Sequence, residues 1–214
     1  MNFYDIIIIG AGSVGTPLAM FLAEKKKKVL IIDSLPSAGQ GQNKAAIGGI
    51  RATHSDISKI KIGLESIKIF SNWKKKTGAD IGWMKNGYCF PVYTEDDERM
   101  LKDMLKVQQA HGLNINWIDK KEIVELAQGI NEKDLRGGTF SPDDGSASPL
   151  LALNAFYEAA LKAGAIFKFK EKVITILTEK NAIKGVSTDN GEYFAPIVVN
   201  AAGAYAKEIS GTVG

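Results

Sequence analysis

The sequence contains a single cysteine, few arginines and no long apolar run. Cys89 has no second cysteine to pair with, which excludes a disulfide-stabilised fold and fits a reducing compartment. Only three of the 27 lysines and arginines are arginines, so bidentate recognition of phosphates is disfavoured. The net charge of +3 is small and scattered along the chain. These shortages argue against a nucleic-acid-binding protein.

Signals for membranes or secretion are also lacking. No segment approaches the roughly 18 consecutive apolar residues that a membrane span requires. The amino terminus has no cationic start before its apolar run, and Asp5 interrupts it, so a signal peptide is not predicted. With 214 residues, 45% hydrophobic and 24% charged, the chain can bury a core without a metal or a disulfide. We expect a cytoplasmic protein.

The amino-terminal stretch DIIIIGAGSVGTPLAMFLAEKKKKVLIID predicts a strand, a helix and a second strand. Residues 4–9 and 29–32 are short β-branched runs without alternation, as expected for strands that are covered on both faces of a parallel sheet. Between them, apolar residues recur at helical spacing. The segment therefore predicts a βαβ unit.

A GxGxxG pattern lies between the first strand and the helix, at Gly10, Gly12 and Gly15. In this pattern the first glycine permits a tight turn, the second lets the backbone approach a pyrophosphate, and the third lets the helix pack closely on the strand. Asp33 closes the second strand, where a carboxylate can accept hydrogen bonds from ribose hydroxyls. The whole arrangement predicts dinucleotide binding.

Four lysines stand where such a helix usually ends on a glycine. One of Lys25, Lys26, Lys27 and Lys28 would have to adopt the left-handed conformation, which costs a lysine roughly 1 kcal/mol. We interpret the run as a solvated helix end.

Two further segments are small-residue stretches that could approach a ligand. SAGQGQNKAAIGGIRATHSD is a long glycine-rich stretch after the second strand, which a nicotinamide-dependent dehydrogenase would not need at that place. IVVNAAGAYA predicts a buried strand over 197–200 followed by a tight turn and a helix. Residues 172–195 predict a three-stranded meander.

Together, GAGSVG, Asp33, QNKAAIGGIR and VVNAAGAYA resemble the FAD-dependent D-amino-acid oxidase superfamily, in particular its sarcosine oxidase β subunit, glycine oxidase and proline dehydrogenase branch. The resemblance spans the whole chain. It implies an α/β fold with a Rossmann-type FAD-binding domain that includes the meander, and an inserted α+β substrate lobe.

The same resemblance implies FAD as the cofactor and assigns residues to its parts. The pyrophosphate would be held by Gly10, Gly12, Ser13, Val14 and Gly15. The adenosine ribose would be bound by Asp33 and Ser34, and the adenine would touch Val173. The diphosphate and the flavin would be lined by Asn43, Lys44, Ala45, Gly48, Gly49 and Ile50. The second side of the cofactor would be closed by Ala201, Ala202 and Gly203.

Domain boundaries follow from the resemblance as well. We expect residues 1–79 and 145–214 to form the FAD-binding domain, and residues 80–144, which alternate strands and helices without a glycine fingerprint, to form part of the substrate domain. Members of the family usually continue well beyond the point where this chain stops. The chain is therefore expected to be truncated relative to the family, with a missing carboxyl-terminal segment or a partner subunit completing the site.

Arg51 and His54 are the catalytic candidates. An amino-acid substrate needs a cation for its carboxylate, and Arg51 follows a glycine pair that would bring it near the flavin or the substrate; the alternative is a structural ion pair. Arg136 is a second candidate. His54 could titrate near neutrality beside the flavin, or simply begin a helix. Asp143 and Asp144 lie in a turn sequence, SPDDGS, and no metal site is predicted there.

The expected function is an FAD-dependent oxidoreductase that oxidises the C–N bond of a small amino acid or secondary amine by hydride transfer to flavin N5. Three alternatives stay open at this point. The chain could belong to a 2-hydroxyacid or glycerol-phosphate dehydrogenase, it could bind flavin without turnover, or it could bind NAD instead of FAD.

Overall fold

A computed structural model describes residues 3–213 as a mixed α/β protein. In chain order within that range, the helices are α1 (Gly15–Glu24), α2 (Ile57–Thr77), α3 (Glu95–Ala110), α4 (Lys120–Leu126), α5 (Pro149–Lys162) and α6 (Ala206–Ser210). The strands are β1 (Ile6–Ile9), β2 (Val29–Asp33), β3 (Gly49–Ile50), β4 (Tyr88–Val92), β5 (Asn116–Ile118), β6 (Gly137–Ser141), β7 (Gly145–Ser146), β8 (Ile166–Phe169), β9 (Val173–Glu179), β10 (Ala182–Thr188), β11 (Gly191–Phe194) and β12 (Ile197–Asn200).

The chain divides into two compact units. The first unit comprises the residues up to Ile47 and those from Pro149 onward, and the second is Gly48–Ser148. The second unit is longer than the predicted substrate lobe of residues 80–144. Compactness alone does not test which functional domain residues 48–79 serve, so that assignment stays a prediction.

A four-stranded parallel sheet with the order β12-β1-β2-β8 lies in the first unit. Its central strands are buried on both faces: Ile7, Ile8, Leu30 and Ile31 have no exposed surface. This burial explains why the amino-terminal strands are continuous apolar runs rather than alternating ones. The predicted α/β class with a parallel sheet is confirmed.

The predicted meander is also present in the first unit. Strands β9, β10 and β11 form an antiparallel sheet, and Val173, Val186 and Tyr193 from it share one apolar core with residues of β1 and β2. Helix α1 packs against α5, which begins at Pro149. Both helices and the meander therefore hold the parallel sheet in place.

The second unit is built around an antiparallel sheet of order β4-β6-β5 and the short pair β3 and β7. Its helices begin at side-chain caps: Asp56 accepts from the amide of Lys59, Thr94 from that of Asp97, and Asp119 forms a capping box with Glu122. Helix α2 begins at Ile57 because Asp56 caps it, so His54 does not begin this helix. Among residues 3–213, no helix combines the length and the apolar content needed to cross a bilayer.

The lysine run at the end of α1 is exposed, and Lys26 has a positive φ of 62°. Its amide donates to the carbonyl of Ala23, and the amide of Lys27 donates to the carbonyl of Leu22, in the manner of a glycine-terminated helix.

We expect Lys26→Gly to raise the free energy of unfolding by about 1 kcal/mol, because glycine adopts this conformation without steric cost. Urea unfolding followed by circular dichroism measures the change. Lys27→Gly is the control and should lower stability; a destabilised Lys26→Gly would contradict the interpretation.

Candidate functional site

The glycine-rich turn after β1 contains two glycines that the fold itself requires. Gly10 has a φ of +104°, and a Cβ added there would collide with the backbone carbonyl of Ala201. A Cβ on Gly15 would collide with the carbonyl oxygen of Gly10 and lie 3.2 Å from a methyl group of Ile8. These contacts match the predicted roles of a tight turn and close helix packing.

Gly12 differs from both, because no atom lies within 4 Å of a Cβ built on it. Within the part of the chain that the structure describes, the backbone amides of Gly12 and Ser13 donate to no acceptor. The first turn of α1 carries no acidic residue, and Val14 at its start is 66% exposed. Open space beside free amide donors and a helix amino terminus suits an anion. The turn therefore fits a pyrophosphate.

Asp33 lies at the carboxyl end of β2 and is tied to the same turn. One carboxylate oxygen accepts from the amide of Ala11 at 2.7 Å, and the other accepts from the amide of Leu35 at 2.8 Å. An ionised carboxylate has about four acceptor positions, so two remain for hydroxyl groups. Ser34 beside it is exposed. The pair fits the predicted ribose-binding role.

The turn after β12 lies next to the glycine-rich turn. Ala201 donates its amide to the carbonyl of Ile9 at 2.8 Å, and the turn continues through Ala202 to Gly203, which has a φ of +57°. Strands β1 and β12 are neighbours, while the chain leaves β1 toward β2 on the other side. This reversal of strand order is where open α/β sheets bind ligands, at the carboxyl ends of the strands.

Other predicted cofactor residues of the first unit have different environments. Asn43 donates to the carbonyl of Pro149 at 3.1 Å, while Lys44 and Ala45 are exposed in the same short 3-10 turn. The side chain of Val173 is 6% exposed and belongs to the core. A contact between Val173 and adenine would thus have to come from backbone atoms.

In the second unit, Gly48, Gly49 and Ile50 lead into or form strand β3. Gly48 has a φ of +84°, and a Cβ on Gly49 would collide with the hydroxyl of Tyr88. Strand β3 pairs with β7 through Gly49 with Ser146 and Ile50 with Gly145. The predicted flavin-lining residues are therefore fixed by pairing and by an aromatic side chain.

Arg51 is partly exposed and lies next in the chain. Its guanidinium donates to the carbonyl of Thr53 at 2.8 Å and lies 5.2 Å from the ring centre of Phe90 and 5.8 Å from that of Tyr88. Within residues 3–213 it forms no ion pair with a carboxylate. Arg136, in contrast, forms an ion pair with Glu98, with 2.6 Å between its Nε and the carboxylate Oε2. The guanidinium of Arg51 is thus positioned yet still able to bind an anion.

The pKa of His54 lies below its ordinary value. Burial is the largest cause, followed by the positive charges of Arg51 and Lys59, while Asp144 and a hydrogen bond to the backbone of Arg51 act in the opposite direction. The shift favours the neutral imidazole over the imidazolium.

Asp144 is the residue that sequence reasoning missed. It is completely buried, and its carboxylate accepts from the amide of Ala52 at 2.9 Å and from the hydroxyl of Thr53 at 2.6 Å. Asp143 beside it is partly exposed and pairs with Lys85 at 2.6 Å. No signal in the DDG turn separates the two. Within residues 3–213, no group of three or more potential ligands could hold a metal ion.

The chain is similar to a known protein family over almost its whole length. The family model described as "DAO: FAD dependent oxidoreductase" matches residues 5–214. The chain is 27% identical to the mitochondrial dimethylglycine dehydrogenase of Homo sapiens, covering 98% of this chain and 24% of that protein. It is also 27% identical to the glycine oxidase of Geobacillus kaustophilus, covering 99% of this chain and 57% of that one.

Among solved structures, the L-proline dehydrogenase from P. horikoshii superposes with a TM-score of 0.94 at 28% identity, covering all of this chain and 56% of that one. The chain thus spans between about a quarter and somewhat over half of the length of these relatives.

Proposed function

Because the chain belongs to the DAO family of FAD-dependent oxidoreductases, we propose that it binds FAD and contributes to the oxidation of the C–N bond of a small amino acid or secondary amine. The observation that carries the proposal is the open space beside Gly12, faced by the free amides of Gly12 and Ser13. Asp33 at the end of the adjacent strand adds ribose recognition. The substrate class is supported by the relatives, whose names specify glycine, dimethylglycine and proline.

The cofactor would be bound along the first unit as predicted. The amides of the glycine-rich turn would hold its pyrophosphate, Asp33 with Ser34 its adenosine ribose, and the turn from Ala201 to Gly203 its second side. Bound FAD would accept at N5 the hydride from the carbon beside the amine nitrogen. The protein's part is orientation and electrostatics.

Arg51 would bind the carboxylate of the substrate. A guanidinium presents two parallel donors that match a carboxylate, and Arg51 has no competing carboxylate among residues 3–213. His54, whose lowered pKa favours the neutral imidazole, would accept a proton within the same segment. These roles give the second unit the substrate-facing chemistry of the proposal.

A substitution at Arg51 tests this assignment. Arg51→Ala should weaken amino-acid binding or flavin reduction by roughly 2 kcal/mol, about 30-fold, because the charge-assisted hydrogen bonds from the guanidinium to the substrate carboxylate are lost. Anaerobic bleaching of the flavin by glycine, sarcosine and L-proline measures it. Arg99→Ala is the matched control, since Arg99 pairs with Asp96 on an exposed helix surface. Equal bleaching rates in the Arg51→Ala variant and the wild type would reduce Arg51 to a structural residue.

The same experiment discriminates the alternative substrates. Bleaching by lactate or glycerol phosphate, and by none of the amino acids, would favour C–O oxidation. A flavin that no substrate bleaches would favour a flavin-binding role that needs a partner subunit or a further segment for turnover.

A further inference from the structure

A buried carboxylate stands at the end of the β3 and β7 pair. The strand ladder stops at Ile50 and Gly145, and the side chain of Asp144 continues it by accepting from the amide of Ala52 and the hydroxyl of Thr53. Ala52 has no exposed surface, and Thr53 is 6% exposed. Asp144 therefore fixes the backbone that lies between Arg51 and His54.

Helix α2 and helix α3 hold the same segment from other directions. A Cβ on Gly63 of α2 would lie 2.7 Å from the Cα of Ala52 and 2.8 Å from the carbonyl oxygen of Arg51. The side-chain amide of Gln108 in α3 donates to the carbonyl of His54 at 3.0 Å. The side chains of Arg51 and His54 nevertheless stay partly exposed. A rigid backbone thus carries two accessible polar groups.

Within residues 3–213, the side chain of Asp144 accepts hydrogen bonds from an amide and from a hydroxyl. A carboxylate supplies one acceptor oxygen for each of these donors, whereas an amide side chain of similar shape supplies only one. Asp144 therefore holds both residues that separate Arg51 from His54.

The geometry points to Asp144 as a positioning residue for the Arg51–His54 segment, acting through Ala52 and Thr53 to place the guanidinium that receives the substrate carboxylate. This assignment rests on the proposed function for the substrate.

Two pairs of variants test it in the FAD-loaded chain. Asp144→Asn keeps the shape but has a single acceptor oxygen, so an amide donor would replace the oxygen that now accepts from the hydroxyl of Thr53. Asp143→Asn removes the neighbouring charge as the matched control. Thr53→Val removes the hydroxyl, and Thr53→Ser keeps it. We expect Asp144→Asn and Thr53→Val to raise the half-saturating amino-acid concentration for flavin reduction about tenfold, with the limiting rate changed less than threefold. Asp143→Asn and Thr53→Ser should stay within twofold of the wild type.

An activity-independent readout accompanies these kinetics. The pKa of His54, followed by NMR in the cofactor-free chain, should fall in Asp144→Asn and stay unchanged in Asp143→Asn. Wild-type kinetics in a folded Asp144→Asn, or an equal loss in Thr53→Ser and Thr53→Val, would overturn the assignment. If Asp144→Asn fails to fold, the half-saturating amino-acid concentrations of Thr53→Val and Thr53→Ser test the assignment instead. If no amino acid reduces the wild-type flavin, the proposed function fails, and an unchanged pKa of His54 in Asp144→Asn would then overturn the positioning role.

Discussion

Valine at position 12 should abolish FAD binding and leave the fold intact. Nothing lies within 4 Å of a Cβ on Gly12, so the protein has room for the branched side chain. The same room is where the pyrophosphate would approach the free amides of Gly12 and Ser13. We expect the FAD dissociation constant, measured by quenching of flavin fluorescence, to rise at least about 100-fold, or about 2.7 kcal/mol. The urea midpoint should match that of the wild type.

The other glycines of the turn provide the contrast. Gly10→Val and Gly15→Val place a side chain against a backbone carbonyl, so both should lower the free energy of unfolding by several kcal/mol. A loss of FAD affinity at unchanged stability in Gly12→Val, together with lower stability in Gly10→Val and Gly15→Val, would separate the binding role from the two packing roles. Unchanged FAD affinity in Gly12→Val would refute the site.

Gly63→Ala should destabilise the second unit by about 2 to 3 kcal/mol. Alanine normally stabilises a helix interior by about 0.5 to 1 kcal/mol relative to glycine, so the expected sign is opposite to helix propensity. The reason is the close approach of α2 to the backbone of Arg51 and Ala52, where a methyl group would meet atoms at 2.7 and 2.8 Å. Neither backbone atom can move without disturbing the hydrogen bond from Ala52 to Asp144.

Thermal and urea unfolding measure this effect. Ser71→Ala in the same helix is the control, because Ser71 is exposed and its substitution should change stability by less than about 0.5 kcal/mol. A more stable Gly63→Ala variant would show that α2 and the Arg51 segment are not packed as described.

The first unit was predictable because its signals are local. Continuous β-branched runs predict covered parallel strands, the glycine spacing predicts the turn, and a helical periodicity joins them. Even the departure at Lys26 was visible as a missing glycine, and the structure places that lysine in the left-handed conformation. Each of these signals spans fewer than about 30 residues.

The second unit carried less information in its sequence. The bond from Thr53 to Asp144 joins residues 91 positions apart, and a DDG turn looks the same whether its second aspartate is buried or exposed. The hydrogen bond of Arg51 to Thr53 and its contacts with Tyr88 and Phe90 depend on the packing of β4. Val173 likewise shows no sequence signal for whether its side chain faces the core or a ligand.

The most direct test of the account is the visible spectrum of the chain after incubation with FAD and removal of free flavin by gel filtration. The glycine-rich turn, Asp33 and the turn at Ala201 predict one flavin per chain, seen as an absorption band at about 450 nm that excess NAD does not remove. A colourless protein fraction, or binding of NAD in place of FAD, would contradict it.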